Sequence, residues 1–218
     1  MNEKRTKLIF IRHGQSIGNA LHMLLGHTDL DLSELGFTQA RTTAEYLKNE
    51  RIDAIYSSDL KRAMSTAEPH AALRGITVTP DKQLRETYLG EWENMTVDEV
   101  IEKYGEKVYR VDWTENFGSF TFPSGESVWG SGERFKKETE RLAKEHEGKT
   151  LLIVAHGAVI RAFFANIMGY TPEECSTKTL FPTNASYSVA YYENGRFLVE
   201  SYSNDEYLSE VGITKINW

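Results

Sequence analysis

The sequence predicts an α/β protein, a three-layer α/β/α sandwich whose central sheet is mostly parallel with an antiparallel end strand. Three observations lead there. Two continuous apolar runs, Leu8-Ile9-Phe10-Ile11 and Leu151-Leu152-Ile153-Val154-Ala155, lead into Arg12-His13-Gly14 and His156-Gly157; runs apolar on both faces read as strands buried in a parallel sheet. Around them, stretches with apolar residues at helical spacing alternate with short strand-like runs, the pattern of helices covering both faces of a sheet. Near the end, two alternating segments at 186–192 and 197–202 are joined by Glu193-Asn194-Gly195-Arg196. Asn-Gly between such segments is a strong hairpin signal.

The first strand leads into a loop over 21–31 that carries Gly26 and His27. Ser33 is placed to cap a helix with Ala40, Ala44 and Leu47 on its buried stripe. Residues 53–56 read as a short strand ending at Ser57-Ser58-Asp59, where Ser58 or Asp59 caps the next helix; Leu60, Ala63, Met64 and Ala67 share one face of it to about 73. Residues 76–78 suit a third, shorter strand. From 88 to 123 one helix is expected, at 97–104, amid irregular aromatic sequence with Tyr109, Trp113, Phe117, Phe120 and Phe122. This stretch reads as a cap-like insertion at about 88–125 within a single domain over 1–218. Ser124-Gly125-Glu126-Ser127 then opens a long helix to about 146, and the second apolar run is followed by a helix to about 168. Residues 208–218 receive no assignment.

Composition narrows the functional classes. A net charge of −7 argues against nucleic-acid binding by bulk charge, yet is compatible with a local basic pocket. The one cysteine, Cys175, cannot form an internal disulfide, which points to a reducing compartment. The charged start lacks the apolar core of a secretory signal, and no apolar run approaches membrane-spanning length. A cytoplasmic protein without a membrane or nucleic-acid partner is therefore expected. Asn94-Met95-Thr96 and Asn184-Ala185-Ser186 match the glycosylation pattern by chance on this reading. His22, His27, His70 and His146 lack metal-ligand spacing, and no metal or cofactor is expected. Pairing through a sheet edge leaves a homodimer open.

The chemistry lies where the strands end. Ligand sites of open α/β sheets form at the carboxyl ends of strands, and Arg12 and His13 fall at that edge. Arginine offers a fixed planar fork of donors for phosphate, and histidine a nitrogen that is nucleophilic near neutral pH. Gly14 permits a sharp turn. Arg62, in the first turn after the second strand, and His156, after the second apolar run, would reach the same edge. Cationic groups converging on an imidazole meet the demands of phosphoryl transfer. The N-terminal end of the helix after Gly157 would add backbone donors. Each residue has a plainer alternative: a solvated Arg62 beside Lys61, a Glu86 paired with Arg85 on the surface, and a His156 bonded to backbone in the core.

Five segments together resemble the histidine phosphatase superfamily, the phosphoglycerate mutase-like proteins. They are Arg12-His13-Gly14-Gln15-Ser16 with Asn19, the stretch with Gly26 and 31–40, Ser57-Ser58-Asp59-Leu60-Lys61-Arg62-Ala63, Leu84-Arg85-Glu86, and Ala155-His156-Gly157. The resemblance implies a two-step, metal-independent reaction on a small phosphomonoester. His13 would become phosphohistidine. Arg12, Arg62 and His156 would hold the phosphoryl oxygens, a protonated His156 binding best, with Asn19, Gly26 and Gly157 beside them. Glu86 would protonate the leaving oxygen and then assist water. Trp92 and Met95 are the cap residues expected nearest the ligand. Mutases of this family typically carry Glu-Arg-His-Tyr-Gly after the acid and an arginine pair further on; this chain has Glu86-Thr87-Tyr88-Leu89-Gly90 and no such pair near Trp113. Leu89-Gly90-Glu91-Trp92-Glu93 and Phe122-Pro123-Ser124-Gly125-Glu126-Ser127 resemble the phosphatases. A phosphatase is expected, the alternatives being a 2,3-bisphosphoglycerate-dependent mutase or a noncatalytic phosphate-binding module. The acidic, aromatic cap suits a less charged leaving group.

Overall fold

A computed structural model describes residues 5–214. Strand β1 (Thr6–Arg12) lies within a six-stranded sheet, beside β4 (Thr150–Ala155) and β5 (Tyr187–Glu193). Strands β2 (Ala54–Ser57) and β3 (Val78–Pro80) extend it beyond β4, and β6 (Arg196–Asn204) forms the far edge, giving the order β3-β2-β4-β1-β5-β6. β1, β2, β3 and β4 run parallel; β5 runs against both its neighbours. The antiparallel strand is thus second from the edge, because the Asn194-Gly195 turn folds β6 back outside it.

Side chains alternate across a strand, and β1 divides accordingly. Leu8 and Phe10 enter a core with Phe135 of helix α5 (Val128–Glu145) and Phe163 of α6 (Gly157–Ile167). Ile9 and Ile11 enter the opposite core with Ala63 and Ala67 of α3 (Lys61–Arg74), beside α2 (Glu34–Tyr46). These are the two outer layers of the sandwich. Ser33 caps α2 as its sequence indicates, its hydroxyl accepting the Gly36 N–H at 3.1 Å and donating to Gln15 Oε1 at 2.7 Å.

The short helix α1 (Ile17–Ala20) is closed by a capping box between Ser16 and Asn19. The start of α3 differs from expectation. Asp59 faces away to pair with Arg85, the Ser58 hydroxyl reaches only the Leu60 N–H at 3.4 Å, and the distant Asp29 carboxylate accepts the Lys61 N–H at 2.7 Å. β3 lies two residues later than expected, with Ile55 opposite Val78. Helix α4 (Val97–Tyr104) falls where predicted, whereas α7 (Pro172–Lys178) was not anticipated. Its signal was present: Thr171 and Glu174 form a capping box with Pro172 at the first helical position.

Between Gly90 and Phe122 the chain forms α4, a π-helical segment Val108–Glu115 and short 3₁₀ turns. Trp92, Tyr109, Trp113, Phe117 and Phe122 bury one another there and pack on Ala158, Ala162 and Ala165 of α6 and Cys175 of α7. Residues Glu206–Leu208 form a 3₁₀ turn. Part of the charged start, 1–4, and of the unassigned tail, 215–218, lies outside the described residues. Among the described residues no helix is long and apolar enough to cross a membrane.

Candidate active site

The register of two strands sets the site. Arg12 of β1 lies opposite Ala155 of β4, so the next residue on each strand, His13 and His156, leaves the same sheet edge side by side. Their rings meet edge to face with centroids 5.2 Å apart. His13 Nδ1 lies 2.7 Å from the Gly14 carbonyl oxygen. A carbonyl only accepts, so Nδ1 carries the proton and Nε2 keeps its lone pair. The backbone around the ring is fixed as well. The His13 carbonyl accepts Asn184 Nδ2 at 3.1 Å and the Ala185 N–H at 3.2 Å, and Thr66 Oγ1 accepts the Gly14 N–H at 3.0 Å. A Cβ on Gly14 would stand 2.5 Å from the Gly36 carbonyl oxygen, so only glycine lets this loop lie against α2.

Two guanidinium groups flank the imidazoles, and both are buried. Arg12 Nη1 donates to the Pro182 carbonyl at 2.6 Å. Arg62 donates Nη1 to Thr28 O and Nη2 to Gly26 O, each at 2.7 Å. Among the described residues neither has a carboxylate partner within ion-pair distance, and Arg12 Nε, Arg62 Nε and both His156 ring nitrogens lack any hydrogen-bond partner. Burial lowers each arginine to about 10, partly countered by the Glu86 charge, so both remain cationic at neutral pH. Burial first, then the arginines' charge, pushes His13 and His156 well below the ordinary histidine range. Both imidazoles are thereby held toward the neutral form in the free site, whereas the resemblance favours a protonated His156 for binding phosphate; the sequence leaves the protonation of the pair open. Buried donors without acceptors are costly, and Arg12 Nε, Arg62 Nε and the one N–H of a neutral His156 are three such donors, which an oxyanion satisfies.

Glu86 is held by main chain. Its carboxylate accepts N–H bonds from Thr87 at 2.9 Å, Ala158 at 3.0 Å and Val159 at 2.9 Å. The expectation that the start of α6 offers these donors to a ligand is thereby corrected; Glu86 takes the Ala158 and Val159 amides itself. Arg85 pairs instead with Asp59, through two bonds of 2.6 and 2.7 Å. Gly157 lies against Arg12, where a Cβ would approach Nε to 3.1 Å and the Phe181 ring to 2.3 Å. Asn19 directs Oδ1 inward to the Ser16 N–H and Asn184 Nδ2.

Arg12, His13, Asn19, Gly26, Arg62 and Glu86 line one cavity of about 60 Å³. Trp92 does not reach it. It is fully buried among Tyr109, Trp113 and Phe122 in the aromatic cluster, and the latter two of these, Trp113 and Phe122, line the cavity in its place. The expected ligand contact of Trp92 is corrected to a packing role, and Met95 likewise packs against that cluster while Met23 forms the wall.

Supporting residues escaped sequence reasoning. His27 Nε2 and Arg134 Nη2 both donate to the Glu86 carbonyl, at 2.9 and 3.1 Å. Asn184 is buried beneath His13. Nothing in the spacing of His27 or Asn184 ties either to the site, whereas Arg134 follows the Gly125-Glu126-Ser127 stretch that the sequence marks both as a helix start and as resembling the phosphatases.

The sequence model described as the histidine phosphatase superfamily (branch 1) matches residues 8–205. A protein of Hydrogenobacter thermophilus named phosphoserine phosphatase 1 is 36% identical over 194 residues, 88% of this chain and 90% of that one. A metal-independent phosphoserine phosphatase of Arabidopsis thaliana is 34% identical over 212 residues, 95% of this chain and 85% of its own. A mycobacterial glucosyl-3-phosphoglycerate phosphatase, solved as a complex with VO3, superposes with a TM-score of 0.84 at 28% identity, covering 91% of this chain and 99% of that one.

Proposed function

The chain belongs to the histidine phosphatase superfamily, and from that membership we propose that it hydrolyses small phosphomonoesters through a phosphohistidine on His13 Nε2. The observation that carries this reading is the free lone pair of Nε2 amid buried, unpartnered donors from Arg12, Arg62 and His156.

Arg12 Nε and Arg62 Nε bind the phosphoryl oxygens, and neutral His156 donates one ring N–H to the same group. The Asn19 amide nitrogen, its oxygen already engaged, and the Gly157 N–H complete the cradle, with the Gly26 carbonyl anchoring Arg62. Nε2 attacks phosphorus in line and the P–O ester bond breaks. Glu86, as its acid, gives a proton to the departing alkoxide. Water then attacks the phosphohistidine, Glu86 takes its proton, and the P–N bond breaks to release phosphate and the neutral imidazole. Fixed donors that need no reorganisation supply the electrostatic part of the barrier lowering. This chemistry asks for no metal, as the name of the Arabidopsis relative also states for that protein. The segment at about 88–125 acts as a cap over the site within one domain, and the lone buried Cys175 suits a cytoplasmic setting.

A mutase must hold a second anionic group, and the only arginines lining the cavity among the described residues are Arg12 and Arg62. Hydrolysis of p-nitrophenyl phosphate tests the reading. His13→Ala should abolish it, and Glu86→Gln should lower kcat by roughly 10²–10⁴-fold while inorganic phosphate still binds. Unchanged turnover in His13→Ala would remove the nucleophile, and isomerisation of 3-phosphoglycerate faster than its hydrolysis would favour the mutase.

A further inference from the structure

The cavity joins two unlike sets of residues. Arg12, His13, Arg62 and Asn19 supply its donors, while Met23, Leu24, Leu89, Trp113, Phe122 and Phe181 supply apolar wall. Glu86 lines it too, its carboxylate taken up by three N–H donors. Once a phosphoryl group engages the two arginines, no lysine or further arginine lines the rest of the cavity among the described residues. An alcohol attached to the bound phosphate therefore meets leucine, methionine and aromatic side chains on the cavity wall.

Resting on the phosphatase reading above, we propose that the preferred substrate is the monoester of an uncharged, apolar or aromatic alcohol. The physical ground is desolvation. A carboxylate on the leaving group, which phosphoserine and 3-phosphoglycerate both carry, would lose its hydration against leucine and aromatic rings with both arginines already engaged by the phosphoryl group, and unpaired charges tolerate burial poorly. An apolar alcohol gains from the same burial, and aromatic rings such as Trp113 and Phe122 offer edge and face contacts to another ring. The reaction is plain hydrolysis: water cleaves the ester to the neutral alcohol and inorganic phosphate, with no co-reactant.

Benzyl phosphate, phosphoserine and 3-phosphoglycerate separate the possibilities, because all three release primary alcohols and differ mainly in charge. The wild-type enzyme should favour benzyl phosphate by at least about tenfold in kcat/KM, the scale a shaped pocket provides. Met23→Arg, which puts a cation on a half-buried stretch of the wall, should shift the ratio back toward 3-phosphoglycerate by a similar factor. Phosphoserine or 3-phosphoglycerate hydrolysed as well as benzyl phosphate would overturn the substrate class and leave the phosphatase standing. Failure to hydrolyse any of the three would overturn both.

Discussion

Gly157 shows how much of the site depends on the absence of a single methyl group. Phe181 lies against its Cα, and the Phe181 ring in turn faces the guanidinium of Arg12, 5.4 Å from its centroid, and that of Arg161, 5.8 Å away. In Gly157→Ala the new Cβ would overlap the ring at 2.3 Å and crowd Arg12 Nε at 3.1 Å. The expected result is a rise of about tenfold in the inhibition constant for inorganic phosphate, with overpacking costing roughly 1–3 kcal/mol of stability. Phosphate inhibition and urea unfolding of the variant measure the two effects; unaltered phosphate affinity would mean that Arg12 Nε is not a phosphate donor.

At the scale of elements, α5 is more than a layer of the sandwich, because its N-terminal half grips the segment that carries Glu86. Arg134 uses its whole fork: two bonds go to the Glu126 carboxylate at 3.0 and 2.9 Å, and others to the carbonyls of Gln83, Arg85 and Glu86 at 2.7, 3.1 and 3.1 Å. Glu126 accepts the Tyr88 N–H in return, and Thr87 bonds Ser131. In the mechanism proposed, Arg134 touches no reacting atom and acts as a positioning residue through the Glu86 backbone. Arg134→Gln should lower kcat by roughly ten- to a hundredfold, the size expected for a misplacement near 1 Å, with KM little changed. Arg134→Lys should restore little of it, since an ammonium cannot reproduce the planar fork. A loss confined to thermal stability, with kcat intact, would reduce Arg134 to a structural clamp.

Across the whole molecule, three histidines are buried in the neutral form. Burial and neighbouring cations hold His13 and His156 well below the ordinary range, and His70, on α3 beside Arg74 with no partner for either ring nitrogen, is lowered to about 3. The unfolded chain takes up these protons near pH 6.5, while the folded protein does not. Stability is therefore fully present above 6.5 and falls as the pH drops below it, by up to about 4 kcal/mol per unit if all three contribute. Urea unfolding between pH 7 and 5 should show that slope, and His70→Leu should reduce it by about one proton. A flat profile over this window would mean that the rings are protonated in the folded state.

The two apolar runs, the helix spacings and the Asn-Gly turn made the sandwich legible, because periodicity and turn chemistry are local. The two histidines of the proposed reacting centre were legible as well, since Arg-His-Gly and Ala-His-Gly sit where strands must end. The role of Trp92, the amides claimed by Glu86, the Asp29 cap of α3 and the grip of Arg134 were not legible, because each joins residues far apart in the chain. The sequence by itself determined which groups arrive at the sheet edge: Arg12, His13, Arg62 and His156 through their types and positions, and Glu86 through the resemblance of its segment to the family's. Only the tertiary structure decided which of their atoms stay unpaired and how they are charged, because burial and the register of β1 against β4 exist only once the strands have paired.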